Sequence, residues 1–170
     1  EFIEQRREQL IGIVLTHGHE DHIGAIPYLA ADLKVPLYAT PFTADLIAGK
    51  LEEEGLVGKV KVHVIERDGS IDLDPFRITF KALAHSIPEG NGVVIETKHG
   101  NIFHTGDWKL DPDPVVGDLT DMEKIQALGE EGVLAMICDS TNVFVEGESG
   151  SEADVRENLE RIVGEKTGRV

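Results

Sequence analysis

The sequence predicts an α/β fold. Short apolar runs bounded by turn residues alternate with segments whose apolar residues recur at helical spacing. Polar clusters follow the strand-like runs at four places: 16–22, His85, Asp107 and Asp139. In open α/β sheets ligands collect beyond the carboxyl ends of strands, so the pattern predicts one edge of one sheet holding all four clusters.

Taken in order, residues 1–9 are polar and predict the end of a helix. Residues 11–15 form an apolar strand, and 23–33 have helical spacing, with Pro27 expected in the first turn or at a kink. A short strand over 35–39 leads into a helix over 41–54, with Pro41 at its start and Gly55 past its end. Residues 60–65 alternate as a strand that carries His63, read as structural or exposed, and 67–70 form a turn. A strand over 76–83 alternates Phe76, Ile78 and Phe80 with polar residues. Strands 92–98 and 102–105 then make a hairpin that leaves His99 in its turn. Residues 110–121, rich in Asp and Pro, predict an irregular loop before a short helix over 122–128. The apolar run 133–138 predicts a further buried strand. Ser151 to Asp154 opens a final amphipathic helix with a capping-box-like start, burying Val155, Leu159, Ile162 and Val163.

Composition bounds the class. A chain of 170 residues suits one domain and is long enough for its own core, and 41% hydrophobic with 28% charged residues is ordinary for a globular protein. The lone cysteine, Cys138, reads as a small buried hydrophobe and cannot form an internal disulfide. No stretch approaches the ~20 apolar residues of a membrane span and the start is too polar for a signal peptide. A cytoplasmic protein with no membrane partner is the default expectation. The net charge of −16, from 32 acidic and 16 basic residues, counts against a phosphate-rich partner. Bound divalent cations would reverse that field locally.

The chemistry lies in Thr16-His17-Gly18-His19-Glu20-Asp21-His22. Imidazole and carboxylate together suit a divalent metal such as zinc. A regular strand or helix would spread these side chains over different faces, whereas a turning loop can aim His17 and His19 at one ion and Asp21 and His22 at a neighbour. With the later clusters, His17, His19 and His85 would hold a first metal, Asp21 and His22 a second, and Asp107 would bridge. Two such metals can lower the pKa of a shared water and stabilise a displacement at phosphorus, which suits phosphodiester hydrolysis. A His-rich polar turn without function is the plain alternative, and His104 reads as a supporting or core residue.

His-x-His-x-Asp-His closing an apolar strand resembles the signature of the metallo-β-lactamase superfamily. The wording of Ala84-His85-Ser86-Ile87-Pro88, of Phe103 to Lys109 and of Asp139-Ser140-Thr141-Asn142 resembles its β-CASP group and the ribonuclease J family. That resemblance covers about Ile11 to Val163 and implies an αββα sandwich. It implies His17, His19, Asp21, His22, His85 and Asp107 as metal ligands, and Asp21, Asp107 and Asp139 as the catalytic carboxylates. The implied cofactors are two divalent metals, zinc or else manganese. The implied activity is RNA hydrolysis, as a 5′-to-3′ exonuclease, an endonuclease or both, by a protein that assembles as a homo-oligomer.

Against the family pattern, the opening strands, the inserted β-CASP domain, a later histidine that completes the second metal site and a general acid are not in these 170 residues. The expectation is a partial metallo-β-lactamase domain over 1–170 that holds its second metal weakly and turns over little by itself. Three rivals remain. A hydrolase of a small thioester or lactam would suit the acidic balance, a di-iron redox protein is disfavoured by His19, and a metal-stabilised member could lack catalysis altogether.

Overall fold

The computed structural model describes residues 2–169, so Glu1, in the expected N-terminal helix, lies outside the described residues, as does Val170. A 3-10 helix, Glu4–Gln9, precedes β1 (Ile13–Val14), α1 (Glu20–Ile23), α2 (Ile26–Leu33), β2 (Leu37–Ala39), α3 (Pro41–Glu53) and β3 (Val62–Val64). Then follow β4 (Ser70–Leu73), β5 (Phe76–Ala82), β6 (Asn91–Thr97), β7 (Gly100–His104), α4 (Met122–Glu131), β8 (Val133–Ile137) and α5 (Glu152–Gly164).

The strands divide between two sheets. β1, β2 and β3 form a parallel sheet in that order; β4 to β8 form a second in sequence order, antiparallel except for the parallel β7–β8 pair. Parallel neighbours need a crossover, and α2 and α3 supply it. Their buried residues Ile26, Ala30, Ala44, Ile47 and Leu51 pack with Leu15, Leu37 and Ala39. A second cluster lies between the sheets, where Val14 and Tyr38 meet Ile78, Phe80, Val93 and Ile95. On the outer side of the larger sheet, Leu128 and Ile125 of α4 pack on Val94 and Phe103. The layers run helix, sheet, sheet, helix, which is the αββα arrangement.

Local sequence accounts for most element ends. Pro27 sits in the first turn of α2, where its missing N–H costs no helical bond, and the expected helix 23–33 is broken into two at Gly24 and Ala25. α3 starts at Pro41 and ends before Gly55, whose φ of +64° favours glycine. Strand β1 is shorter than its apolar run; a Cβ on Gly12 would stand 2.6 Å from the Tyr38 ring. His63 stacks on that ring, with centroids 4.9 Å apart.

Four expectations need correction. β4 was not anticipated: Ile71 and Leu73 alternate with polar residues and pair with Ile78 and Phe76 in a hairpin. The strand forms over Val133–Ile137, but only Val133 packs against the core beside Phe103 and Leu128, and Leu134, Met136 and Ile137 of this edge strand are exposed. Cys138 follows at the same edge and is exposed too. Helix α5 buries none of Val155, Leu159, Ile162 and Val163, although its capping box at Ser151 and Asp154 is complete.

Candidate metal centre

The loop after β1 is shaped by its neighbours. His17 is fully buried, and beside it Gly18 lies close under α3, where a Cβ would meet a methyl of Leu46 at 2.5 Å. His19 has extended backbone and caps α1, its carbonyl accepting from the amides of His22 and Ile23 at 3.0 Å each. Asp21 and His22 are adjacent in α1, so their side chains leave the helix about 100° apart. His22 points inward at 28% exposure while Asp21 stands at 78%. Lys50 of α3 pins Glu20 at 2.6 Å.

The other residues come from the larger sheet. His85 follows β5, and its Nε2 lies 3.0 Å from Nδ1 of His19. Asp107 follows β7, with Oδ2 3.3 Å from His22 Nε2 and 3.8 Å from His85 Nε2. Two trios result, His17–His19–His85 and His17–His22–Asp107, each with its potential ligand atoms within 4.8 Å of one another. The expected single sheet edge is therefore incorrect. The cluster is built where the ends of two sheets meet, since β1 belongs to one sheet and β5 and β7 to the other.

Supporting bonds hold the loops. The amide of Gly106 donates to His104 Nδ1 at 2.9 Å, which fixes the turn before Asp107. The Lys109 amide donates to the Ala84 carbonyl at 3.0 Å, joining the Asp107 loop to the residue before His85. Asp139 follows β8; its amide donates to Thr105 Oγ1 at 3.1 Å, and its carboxylate accepts from the hydroxyl and amide of Thr141 at 2.6 and 2.9 Å. Those Thr141 bonds hold its carboxyl below the usual carboxylate range.

The electrostatics favour neutral imidazoles. Burial, then the neighbouring His22 and His85, pushes His17 down to about 4, with Asp107 opposing. Burial, then His19, likewise lowers His85. A neutral imidazole keeps the lone pair that a metal needs. His17 Nδ1 lies 3.0 Å from the Thr16 hydroxyl, but its Nε2 is buried with no hydrogen-bond partner. An orphaned buried nitrogen costs about 1–3 kcal/mol, and a divalent metal would satisfy it. Nitrogen with one carboxylate oxygen is a donor set that zinc accepts. The residues present thus fit a divalent metal.

Residues 2–136 match the Beta-lactamase superfamily domain. The chain belongs to that superfamily. Its metallo-β-lactamase-type fold agrees with a solved structure, a protein of unknown function from Enterococcus faecalis, with a TM-score of 0.68 at 19% identity over 93% of this chain and 40% of that one. Among curated relatives, a Ribonuclease J of Sinorhizobium meliloti is 43% identical over 169 residues, which are 99% of this chain and 30% of that protein. A Ribonuclease J of Thermus thermophilus is 41% identical over 182 residues, covering 100% of this chain and 31% of its own. One from Corynebacterium glutamicum is 44% identical over 99% of this chain and 23% of its own. The chain thus spans between 23 and 31% of the length of these relatives.

Five of the six candidate ligands fall in the two trios. Asp21 does not: among the described residues its carboxylate pairs with His22, at 3.5 Å, because the turn of α1 carries it outward. Asp139 stands apart from the trios and lines a cleft of about 1240 Å³ together with Trp108, Lys109, Thr141 and Asn142. Sequence reasoning missed Asn91, Glu89 and the group Lys109, Asp111 and Glu152. Glu89 caps α3 by accepting from the Phe42 amide at 2.9 Å. Lys109 pairs with Glu152 and lies 3.2 Å from Asp111, whose other contacts include the Glu152 amide at 2.9 Å. Lys109 closes the stretch Phe103 to Lys109 and Glu152 opens α5, but neither signal says that the two residues meet.

Proposed function

We propose that the intact protein is a metal-dependent ribonuclease and that this chain carries most of its metal-binding residues. The observation that carries the reading is 43% identity along 169 residues to a protein named Ribonuclease J, joined to a His/Asp cluster that fits divalent metals. His17, His19 and His85 hold one ion; His22 and Asp107 hold a second, with Asp21 beside His22. Zinc is the first choice and manganese the alternative. When bound, such ions activate water and neutralise charge at a scissile phosphate.

The chain's own residues do the rest. Thr16 and the burial around His17 orient that ring and keep it neutral. Asp107 Oδ2 lies 3.3 Å from His22 and 3.8 Å from His85, so the carboxylate of the second trio also stands near a ligand of the first. Asp139, kept ionised by Thr141, is an acid in the wall of the cleft, suited to orienting a proton donor near the substrate. Ions held by these residues would offset the net charge of −16 locally where a phosphate binds. Exonuclease and endonuclease action, homo-oligomeric assembly and a cytoplasmic location belong to the same reading.

Asp107→Ala in the intact protein tests it. Cleavage of 5′-monophosphorylated RNA should fall by at least ~10³-fold with the fold retained, because the second trio loses its only carboxylate. Unchanged cleavage refutes the assignment. Hydrolysis of a thioester in place of RNA would favour the small-molecule reading that the acidic composition suits.

A further inference from the structure

One polar side chain at the junction of the two sheets is absent from the candidate ligand set. Asn91, 1% exposed, opens β6 opposite Ala82 of β5. Its Nδ2 donates to the carbonyl of Thr16 at 3.1 Å and to that of Glu89 at 2.6 Å. The first carbonyl directly precedes His17, in the half of the molecule built on the three-stranded sheet. The second lies in the loop that leads away from His85. The backbone of Asn91 meets a third segment: a Cβ on Gly106 would stand 2.8 Å from the Asn91 carbonyl oxygen and 3.1 Å from Thr16 Cβ. Gly106 directly precedes Asp107 and has φ +58°, so no larger residue fits there comfortably. One buried asparagine therefore touches the three segments that carry His17, His85 and Asp107.

We propose that Asn91 is a positioning residue of the metal centre. Its amide fixes the His17 loop of one sheet against the His85 and Asp107 loops of the other, and so sets the spacing within both trios. This rests on the reading that the trios hold divalent metals. The chemistry is specific to an amide. Both N–H groups are spent on carbonyl oxygens, a task that a carboxylate cannot perform and a hydroxyl can perform only once. Residues that orient metal ligands in this indirect way typically change metal affinity by ~10–100-fold when replaced.

The test uses the intact protein and four forms: wild type, Asn91→Asp, Asn91→Ser and Leu128→Ala. Leu128 is buried between α4 and the larger sheet, so its replacement reports a general loss of packing. Zinc affinity is read by competition with a chromophoric chelator, and ligand geometry by the visible spectrum of the Co²⁺ form. Asn91→Asp should weaken zinc by ~10–100-fold and alter the Co²⁺ bands, with Asn91→Ser intermediate, while Leu128→Ala lowers Tm and leaves both readouts unchanged. If Asn91→Asp does not fold, Asn91→Ser decides. Wild-type zinc affinity and an unchanged Co²⁺ spectrum in the Asn91 variants would overturn this role alone. Failure of the wild type to bind either metal would overturn the metal reading, and this role with it.

Discussion

Strands β5 and β6 and the pair β8–α5 are similarly apolar in sequence and differ in what they bury. Ile78, Phe80 and Val93 are buried between the sheets, Phe80 completely. Leu134, Met136, Val155 and Leu159 remain exposed, Leu159 at 56%. Apolar periodicity states which residues share a face; whether a face is covered depends on what packs on it. The two regions are also held differently. The first rests on apolar area removed from water, at about 25 cal/mol per Å². The second rests on polar contacts at its margins, with Glu152 accepting from the amides of Val115 and Val116 at 2.8 and 3.0 Å and pairing with Lys109.

The strongest way to sharpen this contrast is Phe80→Ala. It should cost ~3–5 kcal/mol in global unfolding, measured by denaturant titration, because it empties the packed space between the sheets. A loss below ~1 kcal/mol would mean that the inter-sheet core is not what holds the fold. Next comes Ser151→Ala, which removes one half of the α5 capping box. About 1 kcal/mol of local stability should disappear, visible as faster hydrogen exchange in the first turn of α5 and not in β5. The smallest effect belongs to Leu159→Ala, which should stay within ~0.5 kcal/mol since its side chain is already exposed in this chain. A large loss there would show that α5 is covered in solution.

Acid should separate the two regions as well. In Asp111, burial raises the carboxyl's pKa, but the amides of Asp113 and Glu152 and the Lys109 ammonium outweigh it and leave a net lowering. In Glu152, burial is likewise outweighed, by Lys109 and the amides of Val116 and Val115. Both folded values therefore lie below the ordinary ones, so the unfolded chain takes up protons first. The stabilisation is complete above the unfolded carboxylate range and is lost as pH falls through the lowered folded values. Hydrogen exchange in α5 should accelerate over that acid window before exchange in β5 and β6 does. Glu152→Gln should flatten the response, and an unchanged profile in that variant would exclude the carboxylate as its source.

Much of the fold was legible because its signals are local. Pro41 and Gly55 bracket α3, and Ser151 with Asp154 marks the start of α5, since caps and φ restrictions act within a few residues. The hairpin turn at His99 and the strand-end positions of His85 and Asp107 were readable from two-residue alternation. β4 was hidden because its first residue, Ser70, falls in the stretch 67–70 that reads as turn, leaving three residues to show alternation. The exposure of Cys138 was not readable either: an apolar run predicts burial only when something lies over it.

The sequence by itself determined the types of element, most of their ends, and which chemically active side chains stand at strand ends, because these depend on periodicity and on residues a few positions apart. The tertiary structure decided the rest. It placed the strand ends on two sheets, turned Asp21 outward while His22 faces Asp107, and buried Asn91 where three loops meet. Those outcomes depend on how one sheet packs against another across 66 to 85 positions of sequence, a separation over which local pattern carries no information about distance.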